Sequence, residues 1–498
     1  MSPTHEPDAT IDPVAARRAK LRALLKAGID PYPVAAHQHT PAWEVVAHCE
    51  AHCPNPEDED ATEFAVAGRL RAIRGQGKIV FMDVLDRTGK VQVVAKADAI
   101  KAPAELLENL DIGDIIYVKG TTFRTKRGEC SLLARELELL SKALRPLPDK
   151  WHGLKDHETR YRQRYVDLIM NEEVRKLFEL RSTFIHALRH GLATRGFLEV
   201  ETPVLEHIPG GADAEPFVTK HDTLDIDLYL RISLELHLKR LLVGGLERVF
   251  EMGRVFRNEG MSPQHLQEFT MLEFYMAYSD YQELMTMVEA LYAEALHATF
   301  GTTKIERAGK EPLDFTPPLP RVSYVALLKE HAGIDILSAT DEELLAAVKK
   351  HRVDTDLSLG RARLIDQLYK KTVRPKLTGV YFLIDPPLEL SPLAKPHRDN
   401  PKLAERFWVV ADTAEIGNAF SELNDPIDQK ERFSEQEKLR LAGDKEAQRM
   451  DHDYVRALEY GMPPAAGFGV GIDRMLAVVT GQESIRDVVL FPTMKPEK

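Results

Sequence analysis

Cysteine is scarce. Cys49, Cys53 and Cys130 are three thiols in 498 residues, too few for a disulfide framework and suited to the reducing cytosol. Long apolar runs are missing, so no segment reads as a membrane span. The first residues, MSPTHEPDAT, lack the basic-then-apolar plan of a secretion signal. Basic residues are not in excess either: 66 Lys and Arg face 78 Asp and Glu, a net charge of −12. That balance counts against non-specific coating of nucleic acid but leaves room for a local basic track. Internal repeats and low-complexity tracts are absent as well. Among the motifs, no GK[ST] follows the glycine-rich stretch near the C-terminus, which excludes a P-loop. His48-Cys49 and His52-Cys53 look like metal ligands, yet no second pair of zinc-finger spacing follows, and an amphipathic helix from about Pro41 accounts for them.

What is present describes an ordinary globular chain, 44% hydrophobic and 29% charged, long enough for two or three domains. Residues 1–61 read as a loosely attached helical extension, with Asp12 as cap, Pro13 at the first helical position and Gly28 at the stop. Residues 62–145 switch to period two. Five short strands, with a helix near Ala102 to Leu110 between the third and fourth, suggest an OB-type barrel. On such a barrel Phe81, Arg69, Gln92 and Glu136 are candidates for stacking on bases and bonding their edges. Residues 146–170 continue a basic, proline-marked hinge. Lys142, Arg145, Lys150, Arg160, Arg162 and Arg164 there are candidates for a phosphate track. From 171 to 498 strands alternate with long insertions, which predicts an α+β domain on an antiparallel sheet. A lysine-rich helical insertion is expected over about 301–377.

The most informative stretch is Gly467-Phe468-Gly469-Val470-Gly471, followed at once by Ile472-Asp473-Arg474. Three glycines on one strand face would clear room for a flat ligand against bare backbone. The helix that follows offers free N–H groups and Arg474, both suited to phosphate oxygens. In Glu268–Tyr275 the alternation puts Phe269, Met271, Glu273 and Tyr275 on one face. A glutamate between aromatics is costly to bury without a cation. Asn418, Phe420 and Glu422 share another face, Glu251, Arg257 and Glu259 share parity, and Glu235 sits early in a helix. Several carboxylates, two arginines and a stacking aromatic around glycine strands fit a nucleotide triphosphate and a small dication.

From about Val66 to the C-terminus the chain resembles the class II lysyl-tRNA synthetases. GFLEVETPVL (196–205) resembles the first class motif, FRNEG (256–260) with EFTMLEFY (268–275) the second, and GFGVGIDR (467–474) the third. IPGGA (208–212), RPLPDK (145–150), RYRQRYVDLI (160–169), SELND (421–425) and ALEYGMPP (457–464) resemble the lysine-specific subgroup. The resemblance implies an OB-fold barrel reading the anticodon and a class II antiparallel sheet flanked by helices. It also implies a cytoplasmic homodimer using ATP, Mg²⁺, L-lysine and tRNA. Arg257 and Arg474 would be the catalytic cations. Glu259, His265, Phe269, Glu415, Gly469, Gly471 and Arg474 would contact ATP. Gly211, Glu235, Glu273, Tyr275, Asn418, Phe420 and Glu422 would form the lysine pocket. In the barrel, Arg69, Phe81, Gln92 and Glu136 would meet the anticodon. Glutamates left unpaired by an uncharged competitor would cost roughly 2–5 kcal/mol, so no editing site is required.

Departures from the resemblance touch the ATP end. Trp408 stands where the family usually has a second acidic metal ligand beside Glu415; tryptophan cannot ligate a metal, so either a neighbour such as Asp412 substitutes or metal binding is weakened. His265-Leu266-Gln267-Glu268 replaces a stretch in which Asn-Pro usually follows the histidine, and Ala419 replaces a frequent glycine. Two other readings stay open on sequence: a paralogue serving another acceptor or making diadenosine polyphosphates, and a non-catalytic RNA-binding protein.

Overall fold

The computed structural model describes residues 12–76, 78–148, 154, 156–355, 360–441 and 447–497. The chain divides into two compact units, residues 1–155 and 156–498.

The first unit opens with α1 (Pro13–Lys26), where Asp12 accepts from the Val14 N–H and so satisfies an otherwise orphaned donor. After α2 (Ala42–His52) come β1 (Glu59–Gln76), β2 (Ile79–Leu85), β3 (Lys90–Lys96), α3 (Ala104–Asn109), β4 (Ile115–Arg124) and β5 (Cys130–Ser141). The strands close in the order β1-β2-β3-β5-β4, with β1 long enough to pair both β2 and β4. Alternate residues such as Met82, Val84, Val91 and Val93 fill the barrel, as period two requires. The N-terminal helices are not loosely attached. Leu24 and Val45 are buried in the barrel core, and Arg17 donates to the carbonyls of Ala143 and Ile112.

The basic hinge is largely consumed by structure. Lys142 is fully buried between Asp111 and Asp114, at 2.6 and 2.8 Å. Arg160 and Arg164 both bind Asp167, and Arg162 binds Glu158 and the Lys495 carbonyl. None of these four is a free phosphate-binding cation. Arg145 is exposed, and Lys150 lies outside the described residues.

The second unit begins with α4 (His157–Arg162), α5 (Arg164–Met170) and the long α6 (Glu172–Thr194). Then follow β6 (Leu198–Glu199), a small sheet of β7 (Leu205–Glu206), β8 (Val218–His221) and β9 (Ile226–Leu230), and α7 (Glu235–Val243). The hairpin β10 (Arg248–Phe256) and β11 (Glu268–Ala277) leads into α8 (Tyr281–Phe300). A second hairpin, β12 (Lys304–Arg307) and β13 (Lys310–Asp314), precedes β14 (Arg321–Ser323). The helices α9 (Tyr324–Ala332), α10 (Asp341–Lys350) and α11 (Arg361–Thr372) come next. The expected helical insertion is therefore helical only from Tyr324. Its start is a hairpin, and β14 joins the main sheet. The chain then returns through β15 (Val380–Ile384), β16 (Arg406–Ala411), β17 (Ala414–Ser421), α12 (Pro426–Leu441), α13 (His452–Glu459), β18 (Ala465–Gly471) and α14 (Ile472–Val479).

The main sheet runs β14-β15-β16-β17-β18-β11-β10-β6. It is antiparallel except at its two edges, where β14–β15 and β10–β6 are parallel. One face packs on α6, α8 and α14: Phe274 and Phe468 pair across β11 and β18 and meet Phe184, Val288 and Leu476 in the largest core cluster. Burying each such side chain contributes about 2–3 kcal/mol. The opposite face holds Glu273, Gly469 and Asn418 in a transverse row. Strand alternation thus separates core from chemistry.

Candidate active site

A cavity of about 340 Å³ lies over that second face. Its floor is a line of register partners: Glu273 opposite Gly469, Gly469 opposite Asn418, and Asn418 opposite Trp408. The glycines do not act alike. A Cβ on Gly467 would sit 2.2 Å from Glu422 Oε1 and 2.3 Å from the Tyr275 ring, whereas one on Gly471 would have nothing closer than 3.9 Å. The clearance at Gly467 is therefore filled by the protein's own side chains. Only Gly469 and Gly471 leave space over the strand.

One end of the cavity is cationic. Arg257 follows β10 and lies 5.2 Å over the Phe269 ring, with Nε donating to the Ile232 carbonyl. Arg474, in the first turn of α14, reaches the Gln264 carbonyl at 3.4 Å. Burial holds both guanidiniums below their ordinary pKa, opposed at Arg257 by Glu259 and at Arg474 by Glu415. The connection between β10 and β11 brings Glu259 and His265 to the wall. His265 Nδ1 lies 2.8 Å from Ser262 Oγ. Burial, then the nearby Arg474 charge, lowers its pKa and keeps the ring neutral. Glu415 and Phe269 complete this end.

The other end is carboxylate-lined. Glu273 Oε1 accepts from Ser233 Oγ at 2.9 Å and from the Leu234 N–H at 3.0 Å, while Tyr275 donates to Oε2 at 2.9 Å. Burial, and after it the charge of Glu235, pushes the Glu273 carboxyl up to about 7. Gly211 lines this end with φ of +82°. That backbone favours glycine, and a Cβ would press within 3.1 Å of Ser233 Oγ. Asn418 Oδ1 accepts from Arg406 Nε at 2.9 Å, which leaves its amide free to donate. Phe420 forms part of the wall.

The expectation of three converging free glutamates needs correction. Lys239, wholly buried and one turn after Glu235 on α7, places Nζ 2.6 Å from Glu235 Oε1 and in direct contact with Glu422. Burial opposes its charge, but the carboxylates of Glu235 and Glu422 hold the ammonium above its ordinary pKa. Glu422 does not line the cavity. It lies beneath Gly467, paired with Lys239, while Glu235 and Glu273 face the space. Glu251 shares the transverse row opposite Glu273, yet it is bound by Arg231 at 2.6 Å and by Thr202, a buried structural pair.

Asp412 does not substitute for a metal ligand. It occupies a turn between β16 and β17 with φ of +52°, binds Arg307 at 2.8 Å and accepts from the Gly379 N–H. Sequence reasoning missed Ser233, Lys239 and Arg406. The Glu235–Lys239 spacing of four within a helix was the available signal. Ser233, two residues before a buried glutamate, carried none.

On the barrel, Phe81 and Gln92 share the outer face of β2 and β3, where Gln92 pairs with Asp83 and Phe81 with Val94. Gln92 Oε1 accepts from Ser131 Oγ at 2.9 Å, so its amide points its donors elsewhere. Glu136 lies beyond the end of β3, near Lys101 at 3.5 Å. Arg69 stands opposite Leu85 across β1 and β2 and donates to the Gly113 carbonyl at 2.8 Å. Asp83, between Phe81 and Gln92, was not foreseen as a neighbour.

Residues 156–495 match the family described as tRNA synthetases class II (D, K and N), and residues 64–140 match the OB-fold nucleic acid binding domain. The Lysine–tRNA ligase of Moorella thermoacetica is 49% identical over 493 residues, 99% of each chain. That of Thermoanaerobacter pseudethanolicus is 48% identical over 97% of this chain and 95% of its own. In Thermotoga maritima the figure is 47%, over 97% and 96%. With the larger match covering all but the last three residues of the cavity-bearing unit, the chain belongs to the class II tRNA synthetases of the D, K and N family.

Proposed function

We propose that the chain activates L-lysine with ATP and transfers the lysyl group to the 3′ end of lysine tRNA. The observation that carries this reading is the two-ended cavity: Arg257 and Arg474 at one end, Glu235 and Glu273 with Ser233 and Tyr275 at the other. A substrate fitting both ends carries an ammonium at its tip and a carboxylate beside a triphosphate.

In the first step a lysine carboxylate oxygen attacks the α-phosphorus, the bond to the bridging oxygen of the β-phosphate breaks, and pyrophosphate leaves. Arg257 neutralises charge on the α-phosphate and the attacking carboxylate. Arg474 holds the γ-phosphate, Phe269 stacks on adenine, and Glu259 and His265 contact the nucleotide. Gly469 and Gly471 leave the floor low enough for it. Glu235 and Glu273 take the side-chain ammonium, with Gly211, Tyr275, Asn418 and Phe420 shaping the pocket and Glu422 acting through Lys239. In the second step a ribose hydroxyl of the terminal adenosine attacks the lysyl carbonyl, AMP leaves, and the hydroxyl proton passes to solvent. No side-chain nucleophile is required; positioning and fixed charge supply the acceleration.

Mg²⁺ enters as part of MgATP. Of the acidic pair expected to hold further metal, one member is Trp408, so Glu415 is the single carboxylate of that pair. Among the described residues no group of three His, Cys, Asp or Glu side chains is placed to hold an ion. The first unit, with Phe81, Gln92, Glu136 and Arg69, supports reading of a U-rich anticodon. Exposed Leu198, Val204, Leu205 and Ile208 in and beside the first class motif support a homodimer. Among the described residues no helix is long and apolar enough to cross a membrane, in keeping with a cytoplasmic enzyme. Lysine-dependent exchange of pyrophosphate into ATP, followed by charging of tRNA, tests the reading. Exchange without charging would indicate another acceptor, and no exchange would remove the proposal.

A further inference from the structure

The ATP end of the cavity opens into a second chamber of about 480 Å³, and Glu415, Trp408 and Arg474 line both. Here the residues present do not fit a carboxylate-bound metal pair. Trp408 offers no oxygen: its ring packs 4.2 Å from the Arg406 guanidinium and 5.8 Å from the Tyr324 ring. Asp412 is held by Arg307. Glu415 has a cation beside it, since Arg374 Nη1 lies 3.8 Å from its Oε1. Magnesium at such sites is held by one or two carboxylates together with substrate phosphates, and of the expected pair only Glu415 is a carboxylate, with the Arg374 guanidinium beside it.

Arg374 is well placed to act rather than merely to pair. It begins a short 3₁₀ turn (Arg374–Lys376) after α11, and its Nε donates to the Thr413 carbonyl, which fixes the base of the fork. The Arg374 side chain retains 24% exposure and that of Glu415 32%, so the pair faces solvent rather than core. Arg374 stands behind Glu415 rather than in the lining of either chamber, close enough that its charge lowers the pKa of both Arg474 and His265. A planar guanidinium can grip two phosphate oxygens at once.

We propose that Arg374, steadied by Glu415 and the Thr413 carbonyl, is a third triphosphate-binding guanidinium. It supplies at the β- and γ-phosphates the positive charge that a metal ion held by two carboxylates would otherwise bring. The inference rests on the reading of the cavity as an ATP site. Its consequence is that lysine activation runs on the magnesium that ATP carries, with little demand for free ion beyond it.

Calorimetric titration of the full chain with ATP, over a series of magnesium concentrations, tests this independently of turnover. Arg374→Ala should weaken ATP binding roughly 10–100-fold, as loss of a bidentate charge-assisted contact does, most severely when magnesium only equals ATP. Arg374→Lys should recover part of the loss, and the KM for lysine should stay within about twofold because uniform binding to another substrate is untouched. In parallel, wild-type exchange should reach its plateau near equimolar magnesium and ATP, while Arg374→Ala should need an excess. An unchanged ATP affinity in Arg374→Ala and Arg374→Lys would overturn the proposal, as would a wild type that needs a large excess of free magnesium. Arg374-dependent ATP binding without lysine-dependent exchange would uphold Arg374 and sink the lysine reading instead.

Discussion

At the scale of single residues, the decisive group is Glu273. It is buried, held by Ser233, Leu234 and Tyr275, and its carboxyl is pushed up to about 7. A raised carboxyl favours the folded state below the ordinary carboxylate range and loses that contribution as pH rises through 7. In the proposed pocket, lysine binding needs the ionised form, so the two effects run in opposite senses. KM for lysine should fall as pH rises toward 7 and level off above it, while the thermal stabilisation given by lysine grows over the same window. Glu273→Gln should abolish that inflection and raise KM for lysine by roughly 30-fold or more, the cost of a lost charge pair of 2–5 kcal/mol, with ATP binding unaltered. A KM that follows the wild-type pH profile in this variant would take Glu273 out of recognition.

At the scale of elements, the register between strands does most of the positioning, and an ion pair with a buried carboxylate ties it to the helices. Asp473 opens α14, takes Arg181 of α6 at 2.5 Å and accepts from the Thr270 N–H of β11 at 2.8 Å. Removing its carboxylate takes the ionic partner from Arg181, a largely but not fully buried guanidinium left with the Val488 carbonyl and Thr270 Oγ1. Asp473→Ala should lower unfolding free energy by about 3–5 kcal/mol, read from urea midpoints, and the loss should be absent if the pair is only a surface ornament. Much of this layer was legible in the sequence, because period two in Phe269–Tyr275 and Gly467–Gly471 dictates which side chains share a face. The helix start at Asp12 and the five-stranded barrel were legible for the same kind of local reason. Lys239 was not: a lysine in RISLELHLKR reads as a solvent-facing residue, and only the tertiary approach of Glu422 shows why it is buried. Asp412 misled for the opposite reason, since a left-handed turn carries it to Arg307, a partner 105 residues away in sequence. The basic hinge misled because composition counts charges but not their partners, here Asp111, Asp114 and Asp167.

At the scale of the whole molecule, the two units carry separate cores, and the proposed function gives them separate tasks. Phe81→Ala with Gln92→Ala should raise KM for tRNA by roughly 10-fold or more, given stacking worth about 1–3 kcal/mol per base, and leave lysine-dependent exchange as it was. A matching fall in exchange would mean that the barrel supports the fold rather than the anticodon. The proposed homodimer puts its contact at the exposed apolar residues around Leu205. Leu205→Asp should shift the mass measured by light scattering toward the monomer, since a charge in a self-complementary patch is unpaired twice over; an unmoved mass would place the subunit contact elsewhere.

Lys239 has a further consequence. Beside the binding chamber, Glu235 and Glu422 share an internal cation of the chain's own, so these two acidic groups need not recruit sodium or swell open to find water. The molecule can idle in nearly its working shape, and an arriving amino acid has to offer reach and fit as well as a positive tip.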